Sequence, residues 1–286
     1  MSTKHHTVIV GGGTAGCVVA SRLSRDPNRR ITLIEAGSAS QHASGDVRRG
    51  SMLLAAVPNH PATWTYDVEL RPGHQHQLTR GRLMGGSMAI NGGYFVRATP
   101  ADFEEWSRYG GPAWSYKQVM GPLRRLENDH DYPHSDLHGQ EGPIQIARAP
   151  GGEVYDAFQA AAHSLGFSAE ADKNAAAPPG FGPIPSTVID GDRRSSADGY
   201  LTPLPPHVTV VTDSRVRRIT VETQGDRNAT IRGVETSRGP ISSDDVIVAA
   251  GAIETARLLM VSGIGPADDL RDQGIDVVQD LPVGVD

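Results

Sequence analysis

Val8-Ile9-Val10-Gly11-Gly12-Gly13-Thr14-Ala15-Gly16 is the stretch on which the fold is decided. The apolar residues 7–10 read as a short buried strand that runs straight into G-x-G-x-x-G. From Thr14 to Arg25, Ala15, Val18, Val19 and Leu23 then recur at helical spacing. Pro27 and Asn28 break that pattern, and Ile31-Thr32-Leu33-Ile34 makes a second strand ending at Glu35. A strand, a helix and a strand within this length form a βαβ unit. The three glycines of the motif serve different physical ends. Gly11 permits the tight turn, Gly13 lets backbone approach a pyrophosphate, and Gly16 lets the helix pack closely on the strand. The anion then sits at a helix N-terminus, where free N–H groups and the dipole favour it. Glu35, 19 residues beyond Gly16, stands where an acid binds a ribose hydroxyl. Thr14, Ala15 and Ala36 complete the set expected to face a dinucleotide. The motif alone does not choose between a nicotinamide and a flavin dinucleotide.

Composition narrows the class. The chain has 286 residues, 38% hydrophobic and 21% charged, with 33 glycines and 20 prolines spread among periodic segments, which describes a loop-rich α/β enzyme. A net charge of −6 gives no electrostatic case for nucleic acid or an anionic membrane surface. No apolar run approaches the roughly 18 residues that span a bilayer, and no signal peptide precedes the first strand. Cys17 is the single cysteine, so no internal disulfide forms. A reducing, cytoplasmic setting is expected, with peripheral membrane contact left open. Cys17 itself reads as a small buried packing residue.

Further along, residues 36–62 look irregular, with one helical stretch near Met52–Val57. Helices are expected at Asp102–Arg108, Tyr116–Asn128 and Val154–Leu165, and a polar exposed loop at 129–142. Ala175–Pro185 reads as a further loop. Strands are expected at Val208–Thr212, Val216–Glu222, Ile231–Glu235 and Val246–Ala249, the last leading into Gly251 and a helix at Ile253–Val261. The simplest architecture is α/β: a Rossmann-like nucleotide-binding domain built from 1–100 and 200–286, with a mostly helical segment, 101–199, inserted as a cap. His130, His134 and His138 lie four apart near Asp129, Asp131 and Asp136, and on a helix they would line one face as metal ligands. Pro133 and Gly139 interrupt that stretch, so no metal site is expected there. His74 and His76 flank Gln75 in another turn-like stretch.

The segment Arg80-Gly81-Arg82-Leu83-Met84-Gly85-Gly86-Ser87-Met88-Ala89-Ile90-Asn91-Gly92-Gly93-Tyr94-Phe95-Val96-Arg97 resembles the first signature of the GMC (glucose–methanol–choline) flavoprotein oxidoreductases. Gly251-Ala252-Ile253-Glu254-Thr255-Ala256-Arg257-Leu258-Leu259-Met260-Val261-Ser262-Gly263-Ile264-Gly265-Pro266 is similar to the second. Phe103-Glu104-Glu105-Trp106 with Pro112–Tyr116, then His138–Pro143 and Ser195–Leu201, follow in family order. Met88 and Ala256 depart from the usual pattern without removing a group that does chemistry. Within the family, Asn91–Phe95 looks like the branch associated with the redox peptide cofactor mycofactocin, with a choline- or general alcohol-dehydrogenase-like member as the alternative.

The resemblance implies FAD. It also implies that Met84, Asn91, Gly92, Gly93 and Tyr94 touch the isoalloxazine ring and that the backbone of Val216 meets the adenine. Read without it, Gly85-Gly86 and Gly92-Gly93 are tight turns with side-chain-free backbone, and Val216 is a core strand residue. The implied activity is oxidation of a small-molecule alcohol at its CH–OH group, with hydride passing to flavin N5. The electron acceptor is left open. In the family the proton is taken by a histidine with a second His or Asn beside it, and that pair lies beyond the position equivalent to Asp286. No catalytic residue is therefore expected in this chain, and the C-terminal substrate domain is expected to be missing. The rival readings are a truncated FAD-binding fragment without alcohol turnover and a nicotinamide-dependent dehydrogenase resting on the glycine turn alone.

Overall fold

The computed structural model describes residues 4–39, 45–50, 53, 57–149, 151–224 and 228–284. The helical stretch expected near Met52–Val57 falls largely outside them. The chain divides into two compact units, one of Met1–Val47, Leu54–Ile90 and Ser196–Asp286, the other of Arg48–Leu53 and Asn91–Ser195. Among the described residues no helix is long and apolar enough to cross a membrane.

The first unit is built on β1 (His5–Val10), α1 (Thr14–Leu23) and β2 (Arg29–Ile34). The two strands pair in parallel from His5↔Arg29 to Val10↔Ile34. Val208–Val211 extends the sheet beyond β2, and Asp245–Val248 pairs with the other edge of β1, all in parallel. Residues 6–10 of β1 and 31–34 of β2 are buried, as strands covered on both faces must be. Neighbours on both sides of β1 create the switch point outside whose carboxyl ends ligands bind in open α/β sheets. α1 lies close because its buried residues are small: Gly16, Cys17 and Ala20.

One core joins Val8, Val10 and Ile34 of the parallel sheet to Val216, Ile219 and Val234 of an antiparallel sheet. That second sheet consists of Val216–Gln224, Asn228–Thr236 and Gly239–Ser242. Leu258, from helix Gly251–Val261, closes the same core. Each such buried aliphatic side chain contributes about 1.5–3 kcal/mol.

The unit also contains a long antiparallel ribbon, β3 (Thr63–Arg71) and β4 (His74–Gly81). This corrects the reading of His74-Gln75-His76 as a turn. The turn is Pro72-Gly73, with Gly73 at φ +76°, and both histidines are exposed strand residues. The ribbon's outer part is wet on both faces, so it carries no apolar alternation to reveal it.

In the second unit Thr99 caps helix Pro100–Gly110 through a capping box with Asp102, and Pro100 supplies a preset first turn. Helix Tyr116–Leu126 stops two residues before the expected end. Glu127–Asp129 instead pairs in parallel with Ile144–Arg148. Residues 130–142 form the expected loop, mostly exposed, but an ionic network buries His138 within it and Asp129 beside it. His138 is buried at 4% exposure together with Glu127 and Asp129. Its Nδ1 lies 3.0 Å from Asp129 and 3.2 Å from Glu127, and its Nε2 lies 2.8 Å from Asp172. Arg97 pairs with Glu127 at 2.5 Å, and Arg148 with Asp129 at 2.6 Å and Asp172 at 3.4 Å. Glu127, Asp129 and Asp172 thus face three cations, and the more exposed Asp131 lies 3.3 Å from Arg148 as a fourth carboxylate. His130 and His134 take no part. Polar composition signalled solvent because pairing between distant residues is invisible in a local window.

Glu127, Asp129 and His138 have donor atoms within 4.8 Å of one another, a spacing a metal ion could use. The guanidinium groups already neutralise these carboxylates, so the arrangement favours an ionic network. Burial opposes charge on His138, but Asp129, Glu127 and Asp172 win and push its pKa up to about 10. Burial likewise opposes ionisation of Asp129, yet His138 and Arg148 hold its pKa down at about 2.

Two outcomes are expected. A Cβ on Gly16 would stand 1.9 Å from the Gly11 carbonyl oxygen, whereas one on Gly13 would meet only Gly86 Cα at 3.8 Å. Gly16→Ala should therefore cost about 1–3 kcal/mol or more in urea unfolding, and Gly13→Ala under about 1 kcal/mol. His138→Gln should cost about 3–5 kcal/mol by stranding buried carboxylates. Because the folded pKa of His138 is raised, its stabilisation is present below its ordinary 6.5 and is lost as pH climbs through about 10. Urea midpoints of the native protein should fall across that window more steeply than those of the variant.

Candidate functional site

The site is built at the carboxyl ends of β1, β2 and Asp245–Val248. Hydrogen bonds continue past the strands: Gly11 N–H donates to Ile34 O at 2.8 Å, and Ala249 N–H to Val10 O at 2.7 Å. The backbone can leave β1 sharply because Gly11 adopts φ +103°, where a Cβ would lie 2.5 Å from the Ala249 carbonyl oxygen. Gly12, to which the motif gives no role, points its N–H at Glu35 Oε2 at 2.9 Å. Glu35 Oε1 accepts from Gly37 N–H, also at 2.9 Å. One carboxylate therefore ties the turn after β1 to the turn after β2. Burial pushes the Glu35 pKa upward, while the N–H groups of Gly37, Gly12 and Ala36 and the charge of Arg82 pull against it.

Beside this turn opens a cavity of about 640 Å³. Gly11, Gly13, Thr14, Ala15, Glu35, Ala36 and Val216 all line it, so the structure brings most of the nucleotide residues read from sequence to one place. Gly16 does not line it; it is buried against the Gly11 carbonyl and Leu33. Met84 is buried behind the turn, its Sδ 2.5 Å from where a Gly12 Cβ would stand. Asn91, Gly92, Gly93 and Tyr94 belong to the second unit. There Asn91 Oδ1 accepts from Gly93 N–H at 2.9 Å, and Tyr94 is 70% exposed.

The cavity suits a dinucleotide. Gly13 is the N-cap of α1, with no side-chain cap and no acid in the first turn. The first N–H groups of α1 thus lack an anionic partner from their own chain. Across the cavity, Gly251 opens the second helix at φ +82°, and a Cβ there would meet nothing within 4 Å. The N-terminus of α1 favours a bound diphosphate, whereas the helix that Gly251 opens already carries Glu254 in its first turn.

The far wall went unread in the sequence. The guanidinium groups of Arg82 and Arg215 lie 4.7 Å and 5.0 Å from the centre of the ring of Trp64 in β3. Tyr66 donates to Glu254 Oε1 at 3.1 Å, and Glu254 Oε2 is held by Arg257 at 2.8 Å. Burial, then Glu254, push the Tyr66 pKa upward, so it stays a hydrogen-bond donor. The signal available was the spacing of Trp64 and Tyr66, two apart and therefore on one face of a strand.

A family model described as GMC oxidoreductase matches residues 5–285. An uncharacterised GMC-type oxidoreductase of Rhodococcus erythropolis is 40% identical over 279 residues, covering 96% of this chain and 56% of that protein. Human mitochondrial choline dehydrogenase is 33% identical over 290 residues, covering 98% of this chain and 49% of its own. The chain spans about half the length of the curated relatives it matches. Pyridoxine 4-oxidase from Mesorbium loti superposes with a TM-score of 0.86 at 31% identity, over 97% of this chain and 55% of that one. Formate oxidase of Aspergillus oryzae RIB40, studied for modification of its FAD, superposes with a TM-score of 0.82 at 29% identity, over 98% and 51%. With the glycine turn, the uncapped helix and both signature segments accounted for by one family, this chain belongs to the GMC oxidoreductases, and its dinucleotide is FAD.

Proposed function

We propose that the chain is the FAD-holding part of an oxidoreductase that oxidises the CH–OH group of a small alcohol. The observation that supports this reading is the meeting, around one cavity, of the Gly11–Gly13 turn, Glu35, Val216 and two uncapped helix N-termini. Gly11, Gly13, Thr14 and Ala15 would hold the diphosphate. Glu35 and Ala36 would hold the ribose; each Glu35 oxygen accepts one backbone N–H and retains a lone pair for a hydroxyl. The backbone of Val216 would meet the adenine. Met84, Asn91, Gly92, Gly93 and Tyr94 would face the ring system. When bound, the flavin supplies the redox chemistry as hydride acceptor at N5; the protein supplies position and electrostatics. No residue of this chain is assigned as the base, since the histidine pair implied by the family lies outside residues 1–286.

The likeness to choline dehydrogenase suits an alcohol substrate, and a cytoplasmic location belongs to the same reading. The coverage of only about half of each relative favours one second reading, a flavin-binding piece that turns over no alcohol by itself.

Titration of the chain with FAD should quench the emission of Trp64, which lines the cavity. Gly13→Ala should weaken binding about ten-fold, equal to about 1.4 kcal/mol, with the fold retained. No quenching at any FAD concentration would sink the reading. A longer version carrying the remaining half should reduce an artificial electron acceptor when given an alcohol. Turnover by the 286-residue chain itself would refute the second reading.

A further inference from the structure

In the second unit, the segment Asn91–Arg97 is held along two edges. On one, Phe95 N–H donates to Pro185 O at 2.9 Å, and Thr187 N–H donates to Gly93 O at 2.8 Å. On the other, the side-chain amide of Asn174 acts as a surrogate peptide group. Its Oδ1 accepts from Arg97 N–H at 2.8 Å, and its Nδ2 donates to Phe95 O at 3.0 Å. Asn174 is 3% exposed. Its own N–H donates to Asp172 Oδ1 at 2.9 Å, and the other oxygen of Asp172 binds His138 Nε2. Arg97 is fixed further by its guanidinium, which donates to Glu127 Oε1 at 2.5 Å, to Leu137 O at 2.9 Å and to Asn174 O at 3.5 Å. The buried ionic network is therefore continuous, through two hydrogen-bonded side chains, with the backbone that carries Tyr94.

Gly93 adds a limit of its own. It sits at φ +73°, and a Cβ there would lie 3.1 Å from Val188 and 3.3 Å from Ser186 and Thr187, so that edge has little room to slide. Amid this clamped backbone the side chain of Tyr94 stays exposed.

We infer that Asn174 and Arg97 are positioning residues, which hold Asn91–Tyr94 in the conformation that meets the flavin ring. This rests on the reading that Asn91–Tyr94 face that ring. The ionic network then has a role in the site: it anchors the clamp.

Amide hydrogen exchange, read by mass spectrometry with and without FAD, tests this on the whole chain together with the visible spectrum of the FAD-loaded protein. In the native protein, FAD should slow exchange across residues 91–94. Asn174→Ala should speed exchange at Phe95 and Arg97 at least ten-fold, leave β1 and β2 unchanged, and shift the flavin's long-wavelength absorption band. Arg97→Lys, which keeps the charge beside Glu127, should shift the band less and guards against a failure of Asn174→Ala to fold. Unchanged exchange at Phe95 and Arg97 in both variants would overturn the clamp. Faster exchange with an unshifted band would overturn the positioning role. Loss of the FAD effect on 91–94 in the native protein would instead overturn the flavin contact itself.

Discussion

The turn after β1 closes only because nothing stands between the Gly11 carbonyl and the α-carbon of Gly16, where a methyl group would come within 1.9 Å. That contact sets how closely α1 lies on the sheet, and so where its first N–H groups point. Glu35 then fixes the turn from the other side by accepting Gly12 N–H, while its second oxygen takes Gly37 N–H. On this side the cavity is bounded by glycine backbone at the N-terminus of α1, while Arg80, Arg215, Glu254 and Arg257 line it elsewhere. A site of this kind binds a diphosphate through geometry and needs no lysine or arginine in the turn.

The two units bury carboxylates in opposite ways. Glu35 is surrounded by neutral N–H donors, and the loss of water dominates, so its proton affinity rises. Asp129 loses water too, but His138 and Arg148 lie within hydrogen-bond distance and reverse the outcome. Burial is the largest single influence on both acids, and only at Asp129 do charged partners together outweigh it. The network shares its charges: Glu127 faces both Arg97 and His138, and Asp129 both His138 and Arg148, so removing one cation leaves each of its carboxylates with a single remaining partner.

That Gly11, Gly13, Glu35 and their neighbours would meet around one cavity was legible because the determinants are local. Gly11, Gly13 and Gly16 sit within six residues, and Glu35 ends the next strand. The core strands carried continuous apolar runs, and the strand reading matched the parallel sheet closely. What stayed hidden depends on pairing across the chain. The β3–β4 ribbon has no dry face along most of its length, so periodicity is silent. His138 looked like an exposed loop residue because Glu127 and Asp172, which account for its burial, lie 11 and 34 residues away. Asn174 gave no sign at all; an amide imitating a peptide bond leaves no pattern in composition.

The parallel sheet has a temporal consequence. β1 is synthesised more than 230 residues before the strand that completes its second edge, Asp245–Val248, where Thr7 faces Asp245 and Val10 faces Val248. At a synthesis rate of about 5–20 residues per second, that partner arrives on the order of ten seconds or more after β1 and β2 have emerged. During that interval a nearly continuous apolar strand has an unpaired edge, the type of edge that recruits strands from other chains. The topology therefore leaves that edge of β1 without its native partner until residues 245–248 dock.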